Sequence, residues 1–404
     1  MVISRRLIRV VSILLLSVDF LFTTVSALSL GGIRQTRLHE KEQAALTASS
    51  TPMQFRKFSV GFSLQSSFSA VAVILEYDDG TEETVVRTLD GDDKYRKVMA
   101  HLSLSSSQHL APPYGMMDQY FRDIPRVIAR RALKKIGLPA SSEVGVLGKA
   151  VKKLRTEIET EFGIHISNAV LTVTHLIAFY EDDAEDLCEY AGIHHVTPHI
   201  YLPPPIWETS AAYAGYGFGL CENYKNETEC NAEFGNKTKI MAVHYSRSAM
   251  MLSLPTLYSA THLYGESPYE RRGNFGLGSD AIRRYPNPEQ YWKDVRDLLL
   301  DLMRSSYSVD PEFIIVTGDN MVHGVFMAHL TATVQEYLGS VPPIYSDGAL
   351  IVAAKGAAEI RRRASYRKKY PWEDWSSNSD QNTGIKVLWF SIYNFFLYLV
   401  RGVY

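Results

Sequence analysis

Residues 58–80 read FSVGFSLQSSFSAVAVILEYDDG, and this stretch decides the fold class. Apolar and small residues alternate over 60–64, and a continuous apolar run fills 70–75 after the polar residues 65–67. Alternation is typical of a half-buried strand, and a short apolar run of a fully buried one. Asp79-Gly80 is a hairpin turn signal. The folded part of the chain is therefore predicted to open with a β-hairpin.

Helix and strand patterns alternate from there to residue 363. The clearest helix carries apolar residues at spacings of four, three, four and four: Leu147, Val151, Leu154, Ile158 and Phe162. A second stripe is formed by Trp292, Val295, Leu299 and Leu302. Further helices are predicted over 118–136, 182–191, 320–337 and 349–363, and strands over 169–174, 240–254 as a pair, and 313–316. This alternation predicts an α/β fold.

Composition excludes several classes of protein. The 404 residues are 46% hydrophobic and 21% charged, which is ordinary for a globular chain and excludes a disordered or collagen-like one. The formal net charge is −2, so we expect no nucleic-acid partner. Three cysteines are too few for a disulfide-dense scaffold.

The N-terminus has the layout of a secretory signal peptide. Three arginines precede the apolar run Val10–Phe22, and the small residues Val25-Ser26-Ala27 suit a signal peptidase. We therefore predict a signal peptide over 1–27 and a flexible lead-in over 28–56. An uncleaved signal anchor and a plain buried helix remain as alternatives. The expected location is the secretory pathway, either the lumen of the endoplasmic reticulum or the extracellular space.

A cysteine and sequon cluster agrees with that location. Asn226 and Asn236 each begin a glycosylation sequon, and Cys221 and Cys230 bracket the first of them. In an oxidising lumen the two cysteines are predicted to form a disulfide. Cys188 lies on the apolar face of a predicted helix and is expected to be a buried, unreactive thiol.

The C-terminal region, 365–404, is predicted to be a basic and polar linker followed by an apolar tail. Residues 387–400 are apolar except for Ser391 and Asn394, and this run is short for a membrane span. Three interpretations stay open: an element that packs onto the body, a peripheral contact with a membrane surface, and a removable lipid-anchor signal.

Five segments, in order, resemble the nucleotide-binding domain of the seventy-kilodalton heat-shock chaperones. They are 60–73, 169–174 with 184–193, 208–217, 314–318 and 347–358. The resemblance implies an actin-like ATPase (ribonuclease H-like) fold, an α/β fold with two lobes around a central cleft. The first lobe would cover 57–207 and the second 208–364. Only about 40 residues follow 364, so we expect no substrate-binding domain.

The resemblance also implies a damaged ATPase site. Phosphoryl transfer needs close backbone N–H groups at the phosphates and carboxylates for Mg²⁺. Ser63 and His244 stand where the family has carboxylates. Gln65, and the residues 246–248 of the second hairpin, stand where it has glycines, so side chains would occupy the space of the phosphate oxygens. We therefore expect Mg²⁺-dependent hydrolysis to be crippled.

The residues that could still contact a nucleotide form one set. It comprises Gly61, Ser63, Ser66, Ser67, Glu208, Ser246, Arg247, Gly318, Asp319 and Asn320. Two interpretations of Arg247 remain open: a direct phosphate ligand, or an ion-pair partner that fills the emptied site. ATP or ADP is the one candidate cofactor, Mg²⁺ is doubtful, and no catalytic residue or metal site is assigned.

These observations favour a pseudo-ATPase, a secreted glycoprotein that acts as a binding or scaffold protein for a protein partner in the secretory pathway. The alternative is a weak ATP-binding, chaperone-like ATPase without a substrate-binding domain. A third hypothesis is a membrane-associated protein that docks through its basic run and apolar tail.

Overall fold

The computed structural model describes residues 55–364, except 113, 197–205, 236, 265–269, 306–309 and 321–323. The predicted signal peptide, the sequon residue Asn236 and the C-terminal region 365–404 lie outside the described residues. So does the lead-in up to residue 54. The last two residues of the predicted lead-in 28–56, residues 55 and 56, belong instead to the first strand, which begins at Phe55.

Groups of strands alternate with groups of helices along the described part of the chain. The strands are β1 (Phe55–Leu64), β2 (Phe68–Tyr77), β3 (Glu82–Asp90), β4 (Asn168–Val173), β5 (His194–His195), β6 (Ile206–Trp207), β7 (Thr238–Tyr245), β8 (Met250–Ser253), β9 (Thr256–Ser259), β10 (His262–Tyr264), β11 (Arg271–Asn274), β12 (Phe313–Thr317) and β13 (Ile344–Tyr345). The helices are α1 (Asp93–Leu102), α2 (Met117–Lys135), α3 (Ser142–Phe162), α4 (Glu181–Tyr190), α5 (Glu208–Gly215), α6 (Glu227–Glu233), α7 (Pro288–Ser305), α8 (Gly324–Leu338) and α9 (Val352–Ala364).

The first sheet is built on the predicted hairpin. Strands β1, β2 and β3 form an antiparallel meander in which Val60 pairs with Val73. β4 then joins β1 in parallel, and β5 joins β4 in parallel, so the order is β3-β2-β1-β4-β5, with β6 also paired to β4. The prediction that the fold opens with a β-hairpin is confirmed.

The second sheet repeats this arrangement. β7, β8 and β11 are antiparallel neighbours, while β12 and β13 are parallel to β7 on its other side. The resulting order β11-β8-β7-β12-β13 has the same strand directions as the first sheet. Two additional strands extend this sheet: β9 pairs with β7, and β10 pairs with β9. The described chain is therefore an α/β protein, as its sequence pattern predicted, and the structure shows that it contains two mixed sheets.

The helices cover these sheets with the apolar stripes that their spacing predicts. In α3, Leu147, Val151, Leu154 and Ile158 are buried against the first sheet. In α7 the buried stripe contains Tyr291, Val295, Leu299 and Leu302, so Tyr291 takes the inner position predicted for Trp292, which is half-buried. Among the helices that the structure describes, none combines the length and apolar character needed to cross a membrane.

The last helix returns to the first sheet. α9 follows β13 of the second sheet, yet it packs against β1 and against α5. Glycines make this contact close: a Cβ on Gly61 of β1 would lie 2.2 Å from the backbone nitrogen of Ala358, and one on Gly356 would lie 1.6 Å from the carbonyl oxygen of Ala211. α5 and α9 share a core cluster with residues of both sheets, so this helix pair links them.

We expect Gly356→Ala to lower the free energy of unfolding by about 1–3 kcal/mol, since the added methyl group meets the backbone of α5. Helix propensity alone would predict stabilisation by roughly 0.5–1 kcal/mol. Urea unfolding measures the difference. Gly324→Ala is the matched control, because Gly324 begins α8 and a Cβ there meets nothing within 4 Å. Equal effects of the two substitutions would contradict the close packing.

Candidate functional site

Four turns and element ends meet where the two sheets approach each other. The β1–β2 turn supplies Ser66 and Ser67, and the β7–β8 turn supplies Ser246 and Arg247. Glu208 opens α5, and Asp319 follows β12. In the first sheet, Ser66 and Glu208 follow β1 and β6, which both run parallel to β4. In the second sheet, Ser246 and Asp319 follow the parallel strands β7 and β12. Each pair therefore lies at the carboxyl edge of its own sheet.

A buried hydrogen-bond chain joins the two hairpins. The hydroxyl of Ser66 lies 2.7 Å from Nε2 of His244 and 2.5 Å from the hydroxyl of Ser246. Ser66 and Ser246 have no exposed surface, and His244 is buried. The contact therefore ties the first turn of one sheet to the central strand of the other.

Glu208 completes this chain on the far side of the imidazole. Its Oε1 lies 3.0 Å from Nδ1 of His244, and the hydroxyl of Thr317 lies 3.2 Å from the same nitrogen. Burial raises the pKa of the Glu208 carboxyl, but the charge and hydrogen bond of His244, with hydrogen bonds from Thr317 and Thr174, outweigh it and leave that pKa below its usual value. The carboxylate is thus held ionised and favours a proton on Nδ1.

A second carboxylate, that of Asp319, accepts hydrogen bonds from residues of both turns. Asp319 accepts hydrogen bonds from the hydroxyl of Ser67 at 2.9 Å, from the backbone N–H of Arg247 at 2.9 Å and from Nε of Arg247 at 2.7 Å. The guanidinium also donates to Asp90 at 2.9 Å. The hydrogen bond with Asp319 is the largest of the causes that raise the pKa of Arg247. An anion supplied by the protein itself therefore occupies the space between the hairpins.

The structure brings together six of the ten sequence-predicted contacts: Ser66, Ser67, Glu208, Ser246, Arg247 and Asp319. Gly61 instead faces α9. Gly318 has φ +115° and lies against Tyr245, where a Cβ would be 2.0 Å from the carbonyl oxygen, so glycine is required for backbone packing. Ser63 is buried in β1, 3.5 Å from Nε2 of Gln65, and Asn320 is half-buried after β12.

Sequence reasoning missed three members of the cluster. The sequence places His244 in the position of a family carboxylate and contains no motif that marks Thr317 or Asp90. Ser66 and His244 are 178 residues apart in the chain, so no local spacing relates them. The available signal is the position of His244 within the predicted strand pair 240–254 and of Thr317 directly after the predicted strand 313–316.

The order Ser66, His244, Glu208 is that of a nucleophile, a base and an orienting carboxylate. The space around it does not suit that chemistry. The adjacent cavity, lined by Thr174, His244 and Thr317 among others, measures about 10 Å³, which is about the volume that one water needs. Ser66 has no exposed surface, and its hydroxyl is already hydrogen-bonded to His244 and Ser246, so the described contacts form a closed hydrogen-bond chain.

The same contacts fit a Mg²⁺-nucleotide poorly. Gln65 is fully buried inside the β1–β2 turn, where its side chain fills space, and Asp319 already holds the donors that a phosphate would use. Within the described ranges, no group of three or more His, Cys, Asp and Glu side chains could hold a metal ion.

The predicted disulfide is present between Cys221 and Cys230, with Cα atoms 5.1 Å apart. Asn226 is exposed and caps the N-terminus of α6 through its side-chain oxygen. Cys188 is buried, and burial raises the pKa of its thiol, as expected for an unreactive cysteine.

Comparison with known proteins yields no relative: neither the scan against protein-family models nor the search of curated proteins finds a match.

We expect Glu208→Gln to lower the free energy of unfolding by about 1–3 kcal/mol at pH 7, because it weakens a buried charge-assisted hydrogen bond. A carboxyl whose pKa is depressed by folding contributes stability above its unfolded pKa of about 4.3, and that contribution disappears as the pH falls through the folded value. The difference between the two proteins should therefore shrink below about pH 4.

Chemical unfolding at a series of pH values provides the measurement. Glu157→Gln is the control, since Glu157 is exposed on α3, and its effect should stay within about 0.5 kcal/mol. An effect of Glu208→Gln that is the same at pH 7 and pH 3 would refute the ionised state of this carboxyl.

Proposed function

We propose that the chain is a catalytically silent protein of the actin-like ATPase fold that acts as a binding or scaffold protein for a protein partner in the secretory pathway. The two α/β lobes would cover 57–207 and 208–364. The repeated strand order of the two sheets supports this, since two equivalent lobes require two sheets of one topology.

The single observation that carries the proposal is the Asp319 carboxylate between the hairpins. It accepts from Ser67 and twice from Arg247, so donors of both turns are already satisfied. A phosphate would have to displace this carboxylate, or lie beside both it and the ionised Glu208. Repulsion between like charges at short range would make that costly.

The second support is the chain from Glu208 through His244 to Ser66 and Ser246. In a nucleotide-dependent protein, ligand contacts join the two sides of the cleft. Here hydrogen bonds within the protein connect the turn of the first sheet to the central strand and turn of the second. A protein that needs no ligand to hold its halves together can present a constant surface to a partner, as a scaffold must.

The location in the secretory pathway rests on a separate observation. Disulfides persist in oxidising compartments, and Cys221–Cys230 staples a polar stretch that carries the exposed sequon residue Asn226. This fits a secreted glycoprotein.

We expect calorimetric titration of ATP or ADP, with and without Mg²⁺, to show no binding to the mature protein at millimolar ligand. The informative variant is Asp319→Gly, which removes the internal anion and leaves Ser67 and Arg247 to meet a phosphate. Weak binding of inorganic phosphate or ADP, without a Mg²⁺ requirement, should then appear.

Asp301→Gly serves as the control, since Asp301 is an exposed carboxylate on α7 that pairs with Arg272 and not with Ser67 or Arg247. Binding by the unaltered protein that strengthens with Mg²⁺ would contradict the proposal and favour the weak ATPase alternative. Mg²⁺-independent binding by the unaltered protein would instead favour a nucleotide sensor that uses Arg247.

A further inference from the structure

Helix α2 is attached to the body through its charged face. Its two buried side chains are Asp123 and Arg130. Arg126 binds Asp123 and also reaches α4, where three side chains of α2 meet acidic partners. These pairs are Arg126–Asp182 at 2.7 Å, Arg130–Asp183 at 2.8 Å, Arg130–Asp186 at 2.7 Å, Lys134–Asp186 at 2.6 Å and Lys134–Glu189 at 2.7 Å. An ion-pair network therefore occupies the position where a surface helix normally buries apolar residues.

The opposite face of α2 is apolar and points outward. Phe121 is 59% exposed, Ile128 60% and Ile136, just after the helix, 71%. Five of the ten large hydrophobic side chains that the described residues expose lie within 116–138: Phe121 and Ile128 in α2, and Met116, Ile136 and Leu138 beside its ends. Such concentration marks an interaction site rather than ordinary surface.

The spacing on that face is suited to another helix. Met117, Phe121, Ile124 and Ile128 follow one another at intervals of four, three and four residues; Phe121 and Ile128 are exposed, and Met117 and Ile124 are half-buried. This pattern produces a straight apolar seam of the kind that packs against a matching helix. We refer to these four residues as the α2 seam. Exposed cations, Arg122, Arg131 and Lys135, flank it.

We propose that residues 387–400 of the same chain dock as a helix on the α2 seam. In this segment Leu388, Ile392, Phe395 and Leu399 repeat the intervals of four, three and four. The segment carries no charged side chain, so it does not oppose the cations beside the seam with like charge. A second copy of α2 would oppose them with like charge, because its exposed cations Arg122, Arg131 and Lys135 outnumber the one neighbouring carboxylate, Asp118.

Chain length permits the contact. Twenty-two residues, 365–386, separate the end of α9 from the segment. A flexible linker of that length has an end-to-end distance of roughly 26 Å and a fully extended reach of roughly 75 Å. A domain of about 310 residues has a radius of gyration of roughly 20 Å, so the segment can reach any face. Docking is intramolecular and thus proceeds at an effective concentration in the millimolar range.

Disulfide trapping in the full-length chain tests the proposal. Ile128→Cys with Phe395→Cys should form an intramolecular disulfide under mild oxidation and leave the protein monomeric. The native cysteines do not compete, since Cys221 and Cys230 are bonded and Cys188 is buried. The control replaces Val325 of α8, which is 53% exposed, in place of Ile128, and should cross-link about tenfold less.

Hydrogen exchange provides a readout without added thiols. Ile128→Asp should raise the exchange rate in 387–400 by about tenfold or more, while the two sheets keep their protection. Equal cross-linking of both cysteine pairs, or an unprotected segment in the unaltered chain, would overturn the proposal. So would disulfides between molecules, which indicate a second copy, or protection that appears only with phosphatidylcholine–phosphatidylserine vesicles, which indicates a membrane.

Discussion

The contact between α9 and α5 is the constraint on which the rest of the structure depends. α9 belongs to the end of the chain, yet Gly356 lets it press against the backbone of α5 at Ala211, and Gly61 lets it press against β1. Both helices share their core with residues of the two sheets. Because α5 is held there, Glu208 at its first position points at His244 of β7. The geometry of the candidate site follows from a backbone contact that lies outside it.

Within that frame, the buried polar groups explain why the space between the hairpins is closed. A charge removed from water is tolerated only when partners satisfy it. Glu208 has His244, and Asp319 has Ser67 and Arg247. Each carboxylate thereby takes donors that a ligand would otherwise need. The same interactions that stabilise the pairing of the two sheets leave room for little more than one water beside His244.

Local patterns predicted the local features. The hairpin, the helix α3 and the disulfide all follow from spacing, turn residues or composition within short windows. α2 shows where such reasoning ends. Its apolar seam would ordinarily be assigned to the core, but the acidic residues of α4 bind its other face and turn the seam outward. The sequence of α2 alone does not show this outcome, because the acidic residues that decide it belong to α4.

The sequence by itself determined an α/β chain with a disulfide-closed loop near Asn226, because periodicity, turn signals and cysteine spacing are properties of neighbouring residues. Only the tertiary structure decided the order of strands, the return of α9 to the first sheet and the meeting of Ser66, His244 and Glu208. Those features depend on contacts between residues far apart in the chain, whose partners are selected by packing across the whole molecule.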